Sequence, residues 1–184
     1  MDTMKRSEFI AKTGSGIATA ALASFSTAFT IKKNTNLNVK EKIVRNGFGK
    51  KLNVLGDKMT VKLTGKDTAG QYVLIEQNNE PGVGIPPHIH ENEDEIFRVI
   101  EGQLEVQVAD TKTVLNPGDM GFCPRGIPHT WKVVGDKPAK VDLSFFPAGL
   151  EDMFEELASL PAGPPNMEKV AGICGKYGVN FLDV

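Results

Sequence analysis

Three histidines are all the imidazoles that this 184-residue chain contains, and all three fall between Gly82 and Trp131. His88 and His90 are separated by one residue. On a strand, alternate side chains leave the same face, so this pair could take adjacent positions around one ion, with Ile89 turned the other way. After the polar turn Glu91-Asn92-Glu93-Asp94, Glu95 opens the apolar run Ile96 to Ile100 and shares a face with Phe97 and Val99. It is the acidic residue best placed to face inward, with Glu93 and Asp94 as near rivals. His129 follows the bends at Gly118, Pro124-Arg125-Gly126 and Pro128, and shares a face with Trp131 and Val133. Three neutral imidazoles and a carboxylate suit one divalent transition metal (Mn, Fe, Co, Ni, Cu or Zn) and leave one or two coordination positions for water or substrate. A lone inward histidine in a β-barrel is more often a hydrogen-bonded core residue. Four convergent groups reverse that preference, because without an ion each unpaired group costs roughly 1–3 kcal/mol.

The elements that must hold these residues are mostly strands. Short alternating segments run from Lys58 to Leu63, Tyr72 to Gln77, Glu95 to Ile100, Leu104 to Val108, His129 to Val134 and Lys140 to Phe146. Turn residues such as Gly56-Asp57, Asn116-Pro117-Gly118-Asp119 and Gly135-Asp136 separate them, which predicts an antiparallel barrel or sandwich. Upstream, residues 31–50 read as a linker with an edge strand at Lys42-Ile43-Val44-Arg45, and the barrel itself is expected over residues 51–148. Beyond it, residues 149–184 change period. Leu150, Met153, Phe154, Leu157 and Leu160 fall on one helical face that Pro161 ends, and a weaker helix runs from Asn166 to about Lys176. Both helices are expected on the outside of the barrel.

Two spacings carry a resemblance to a known family. Gly82-x5-His88-x-His90-x4-Glu95-x6-Gly102 resembles the first cupin motif, and Gly118-x5-Pro124-x-Gly126-x2-His129 resembles the second. Val133 departs from the pattern, since the second motif usually ends there in Asn, which is not a ligand in the family. The resemblance implies an all-β fold, the double-stranded β-helix or cupin jelly-roll barrel. It also implies a metal held by His88, His90, Glu95 and His129. Pro86-Pro87-His88, Asp94-Glu95-Ile96-Phe97 and Pro124-Arg125-Gly126-Ile127-Pro128-His129, with the helix Glu151 to Phe154, are similar to single-domain, quercetinase-like bacterial cupins.

That similarity implies a metal-dependent dioxygenase acting on a small, oxygen-rich aromatic or enol substrate, with Glu95 accepting the substrate proton. An alternative is an exported metal- or ligand-binding cupin without turnover. Another is a sugar isomerase or epimerase, which needs a second acid or base facing the ion; Tyr72 and Glu76, at period-two positions, are the candidates. Trp131, Phe97, Phe122, Phe145 and Tyr72 are candidate pocket residues, although aromatic residues on strands are first of all core. Cys123 and Cys174 make a disulfide possible, but Cys123 has no basic neighbour to activate it and reads as inert packing.

A net charge of −2 gives no basic surface for nucleic acid or anionic lipid. Residues 1–30 read as an export signal, with Lys5-Arg6 ahead of a small-residue apolar run from Ile17 to Phe29 that is too short for a permanent membrane span. Lys5 to Lys12 resembles the twin-arginine signal, with Ser7 where the second arginine belongs. The expected location is the bacterial periplasm. A small-molecule ligand and a homodimer paired through the edge segment from Lys42 to Gly47 complete the expectation.

Overall fold

Turn residues cut the chain into short alternating runs. In the computed structural model, which describes residues 39–182, these runs become eleven strands and three short helices among the described residues. The export signal expected over 1–30 lies outside them. The strands are β1 (Lys50–Val54), β2 (Asp57–Leu63), β3 (Val73–Asn79), β4 (Gly84–His90), β5 (Asp94–Glu101), β6 (Gln103–Val108), β7 (Thr111–Leu115), β8 (Met120–Cys123), β9 (His129–Val134), β10 (Ala139–Phe146) and β11 (Val179–Phe181). The helices are α1 (Gly65–Thr68), α2 (Leu150–Ala158) and α3 (Met167–Lys176).

All the strand pairs are antiparallel and form two sheets, ordered β1-β2-β3-β10-β5-β8 and β11-β4-β9-β6-β7. This is the double-stranded β-helix expected from the sequence. Period-two alternation builds its core: Phe97 and Val99 of β5, Trp131 and Val133 of β9, and Val141, Leu143 and Phe145 of β10 all point inward and are buried. Each such aliphatic or aromatic side chain contributes about 1.5–3 kcal/mol when removed from water. Ligand-bearing β5 lies between β10 and β8, so its register is fixed on both sides.

Three features differ from the expectation. No strand forms at Lys42 to Arg45; Lys42 instead pairs with Asp67 at 2.7 Å, Ile43 is 90% exposed, and the turn at Asn46-Gly47 separates the segment from β1. The sheet edge is therefore β1, and the segment expected to pair two copies presents no strand. Second, α2 and α3 are not mere outer decoration. Leu150, Met153, Phe154 and Leu157 of α2 are buried, as are Val170, Ile173 and Cys174 of α3, and several of them line an internal cavity. The Asn166 side chain accepts the Lys169 N–H at 3.0 Å and starts α3. Third, the C-terminal segment is not wholly helical, because β11 pairs with β4 in the register Val179 to His90 and Phe181 to His88.

β4 carries Pro86 and Pro87, which have no N–H to offer a ladder. Its pairing with β9 shifts register between Ile85 and His88, and the two prolines sit at that irregularity. Cys123 and Cys174 are both buried and free. No helix among the described residues is long and apolar enough to cross a membrane.

Gly102 closes the β5–β6 turn at a φ of +73°, and a Cβ there would run into the Pro138 carbonyl and Ala139. Gly102→Ala is expected to cost roughly 1–3 kcal/mol. A lowered urea midpoint at unchanged m-value would show it.

Candidate metal centre

The alternation that builds the core also delivers the four polar groups. His88 and His90 leave the inner face of β4, Glu95 the inner face of β5, and His129 opens β9 directly opposite His88 in the ladder. All four are at most 3% exposed. One donor atom from each lies within 4.8 Å of all the others, so the group could hold a metal ion. His88 Nε2 is 3.0 Å from His90 Nε2, His129 Nε2 is 2.8 Å from Glu95 Oε2, and His90 Nε2 is 3.6 Å from the same oxygen. Two donors about 2.1 Å from one ion stand roughly 3.0 Å apart at a right angle and 3.4 Å apart in a tetrahedron. The spacing matches.

The outer ring nitrogens explain why the inner ones are available. His88 Nδ1 donates to the Pro86 carbonyl and His129 Nδ1 to the Ile127 carbonyl, each at 3.0 Å and each two residues back along the chain. A carbonyl can only accept, so both rings carry a proton on Nδ1 and turn Nε2 inward. His90 Nδ1 has no hydrogen-bond partner, but Glu93 Oε2, also unpaired and buried, stands 3.8 Å away. That distance is too long for a hydrogen bond, so Glu93 is a nearby charge at the His90 ring and does not fix its tautomer. At the centre, His88 Nε2 meets His90 Nε2 at 3.0 Å and Glu95 Oε2 meets His129 Nε2 at 2.8 Å, contacts that each need a proton between them. A cation at the centre would take the place of those protons.

Electrostatics agree with this reading. Burial pulls His88 down to about 4, more than the Glu95 charge can offset, so its ring is neutral at ordinary pH. Burial also pulls on His129, but the Glu95 hydrogen bond and charge outweigh it and hold His129 above its usual value. For Glu95 burial pushes upward, yet the His129 hydrogen bond and the three imidazoles keep it below the usual carboxylate range. In the absence of a metal, the pair His129–Glu95 therefore retains the proton that an ion would displace.

His88, His90 and Glu95 line a cavity of about 140 Å³ whose walls are otherwise almost wholly apolar, among them Ile85, Trp131, Leu143, Phe145 and Phe154. Leu55 and Met167, both exposed, mark its rim. Of the five aromatic candidates, the structure brings Trp131 and Phe145 to this cavity, and Phe145 stacks on His90 with centroids 5.6 Å apart. The other three lie elsewhere. Phe97 is fully buried in the core, edge-on to Trp131. Phe122 is 53% exposed, because on β8 the inward place opposite Glu95 belongs to Cys123. Tyr72 stacks on Phe146 outside the cavity. Burial and the Glu95 charge push the Cys123 thiol upward, which keeps it inert.

Other placements also correct the sequence reading. On β3 the inward phase is Val73, Ile75, Gln77 and Asn79, so Glu76 faces outward and pairs with Lys62 and Lys140. Glu93, a near rival of Glu95 for the inward place, is indeed only 5% exposed. Asp94 does stand at the surface, where hydrogen bonds from Arg125 hold it down to about 2. Two cavity residues went unnoticed, Asp57 and Gln77. Burial pushes Asp57 up to about 6, against hydrogen bonds from Asn79 and Gln77. The signal for Gln77 was present in the alternation that begins at Val73.

Two results are expected from metal titration. His129→Ala should weaken binding by on the order of 100-fold or more, and Glu93→Gln by roughly 10-fold, because an outer carboxylate tunes a ligand without being one. Loading at pH 7 should release about one proton from the His129–Glu95 pair, visible as a buffer-dependent heat in calorimetry. A heat independent of the buffer would contradict the proton-holding pair.

Comparisons with known proteins agree with this architecture. A family model described as a cupin domain matches residues 69–146, the stretch from just before β3 to the end of β10 that contains all four candidate ligands. Quercetin 2,3-dioxygenase of Bacillus subtilis is 28% identical over 92 residues, which are 50% of this chain and 27% of that protein. A probable germin-like protein, subfamily 2 member 5, of Arabidopsis thaliana is 37% identical over 110 residues, 57% of this chain and 51% of the relative. The chain thus spans about a quarter of the first and half of the second. Among solved structures, KdgF from a Halomonas species superposes with a TM-score of 0.54 at 22% identity, over 61% of this chain and 99% of that one. A predicted oxalate decarboxylase from Thermotoga maritima gives 0.53 at 18% identity, over 58% and 99%. At such identities these two neighbours speak for the fold alone. Fold, paired motifs and family match together identify residues 69–146 as a cupin domain.

Proposed function

We propose that the protein is a metal-dependent oxidoreductase of the dioxygenase type, acting on a small oxygen-rich aromatic or enol substrate. One observation carries this reading: three of the four candidate ligands line an apolar cavity, so an ion held by them is reachable by a bound organic molecule. A divalent transition metal at this site supplies a Lewis acid that lowers the pKa of a substrate oxygen and, if redox-active, a partner for dioxygen. The remaining work falls to the chain. Phe145 and Trp131 offer flat apolar walls for a ring, and Met153, Phe154, Leu157 and Val170 from α2 and α3 exclude water. Glu95, kept ionised by its imidazole neighbours, is positioned to accept the proton that a substrate hydroxyl loses. The partial likeness to the Bacillus quercetin dioxygenase supports the same class of chemistry.

Cavity size refines the substrate. A cavity of about 150 Å³ holds benzene, and this one measures about 140 Å³. A single ring of catechol size fits it better than the three rings of a flavonol.

A second reading keeps proton transfer without oxygen, as in an isomerase. Tyr72 and Glu76 no longer support it, but Asp57 lines the cavity as a second carboxyl group, its pKa raised to about 6. Export to the periplasm and assembly as a homodimer remain part of the proposal; export is supported by the apolar run from Ile17 to Phe29.

The test is oxygen uptake by protein loaded in turn with Fe, Mn, Ni, Co, Cu or Zn. Catechol should be consumed with a redox-active ion, a flavonol more slowly, and the zinc form should be inert; His129→Ala should lower the rate at least about 100-fold. Fully loaded protein inert to catechols, enols and flavonols alike would count against the dioxygenase reading. Deuterium wash-in to substrate without oxygen uptake would favour the second.

A further inference from the structure

The cavity has a second polar patch that the metal cluster does not use. Asp57 opens β2 just after the Leu55-Gly56 turn, and Gln77 points inward from the adjacent β3. Gln77 Nε2 donates to Asp57 Oδ2 and Asn79 Nδ2 to Asp57 Oδ1, both at 2.6 Å, while Asn79 Oδ1 accepts the Lys58 N–H at 2.7 Å. Asn79 and the two Asp57 oxygens are thereby engaged. Gln77 is not. Its side chain is 1% exposed and lines the cavity, and Oε1 has no hydrogen-bond partner. An ionised carboxylate accepts only donors, so the amide is oriented with Nε2 towards Asp57 and Oε1 away from it. Nor can the neighbouring strands help, since the residues paired with Gln77 are Met59 and Val141. A buried amide oxygen left unpaired is costly, and a group lining a ligand cavity has an obvious remedy.

We propose that Gln77, oriented by Asp57, is a recognition point for a hydrogen-bond donor, a hydroxyl or N–H carried by the substrate away from its metal-bound oxygen. The unpartnered atom is the acceptor Oε1, so this point favours a ligand group that can donate. Its position sets the size of the ligand. Gln77 pairs with Val141 of β10 and Glu95 with Phe145, so the two residues lie on opposite sides of β10 and four residues apart along it. That places their Cα atoms on the order of 15 Å apart. Side chains reaching inward from both shorten the gap to the span of one ring bearing a short hydroxylated arm. The proposal rests on the reading that substrate occupies this cavity, but not on any particular metal or on turnover.

Its test therefore uses the full chain without added metal and two single-ring probes of similar shape, toluene and benzyl alcohol, with binding followed by ligand-observed NMR. Gln77→Met keeps the side-chain volume and removes the amide. In this variant benzyl alcohol should bind roughly tenfold more weakly than to the wild-type protein, with toluene changed by less than about twofold. Asp57→Asn, which disturbs the orientation of Gln77, should lower benzyl alcohol affinity in the same direction. Because Asp57 also ties down the start of β2, Gln77→Met is the deciding variant, with its thermal midpoint as the control for folding.

Parallel weakening of both probes would mean that the pair is only structural and would overturn the proposal. So would an undiminished affinity for benzyl alcohol in Gln77→Met, or no binding of it to the wild-type chain. Failure of oxygen uptake by the loaded protein strikes the dioxygenase reading and leaves these binding results intact.

Discussion

Three imidazole nitrogens and a carboxylate oxygen converge on one point inside an apolar barrel, and polar groups buried in that way must be compensated. Pro86 and Ile127 carbonyls fix two imidazole protons on the outer nitrogens, and Glu93 stands at the third ring. His88 and His129 therefore turn Nε2 to the centre beside the Glu95 carboxylate, a donor set suited to a positive charge. Much of the local chain serves that convergence. The proline pair and the shifted pairing of β4, the short turn from His90 to Glu95 and the bend before His129 bring three strands from two sheets to a common centre.

The same convergence explains why the site was legible without coordinates. His88 and His90 obey the two-residue period of a strand, and Glu95 and His129 each begin a run whose inward face is apolar. Burial of those runs fixes the register, and the polar residues follow it inward. β4 itself read poorly, because Pro86 and Pro87 contradict ladder pairing; only its local irregularity admits them. Phase was the other difficulty. Tyr72 and Glu76 share a period, but Val73 and Ile75 decide which face of β3 is inside, and that choice turns Glu76 outward between Lys62 and Lys140 and Gln77 to the cavity. A polar residue on an apolar face is easily passed over as noise in the alternation. Asp57 was taken for a simple turn residue, although its carboxyl group is enclosed by Gln77 and Asn79.

Edges and ends were the hardest to read. Lys42 to Arg45 has the composition of a strand but no partner, whereas Lys50–Val54, which is mostly exposed and polar, pairs along its whole length with β2. Strand formation at an edge is decided by the neighbour rather than by the segment's own residues. The same holds for Val179–Phe181, a strand only because the outer edge of β4 is free to receive it.

That last pairing sets a sequence of events in time. A chain growing from its amino end presents all four ligands before it has made α2, α3 or β11. The cup is thus complete while its roof is still unmade, and an ion can enter from open solvent during synthesis or early folding. Phe181 then comes to stand beside His88, and Phe154 of α2 packs on Phe145. An ion bound there would be enclosed by elements that follow all four candidate ligands along the chain.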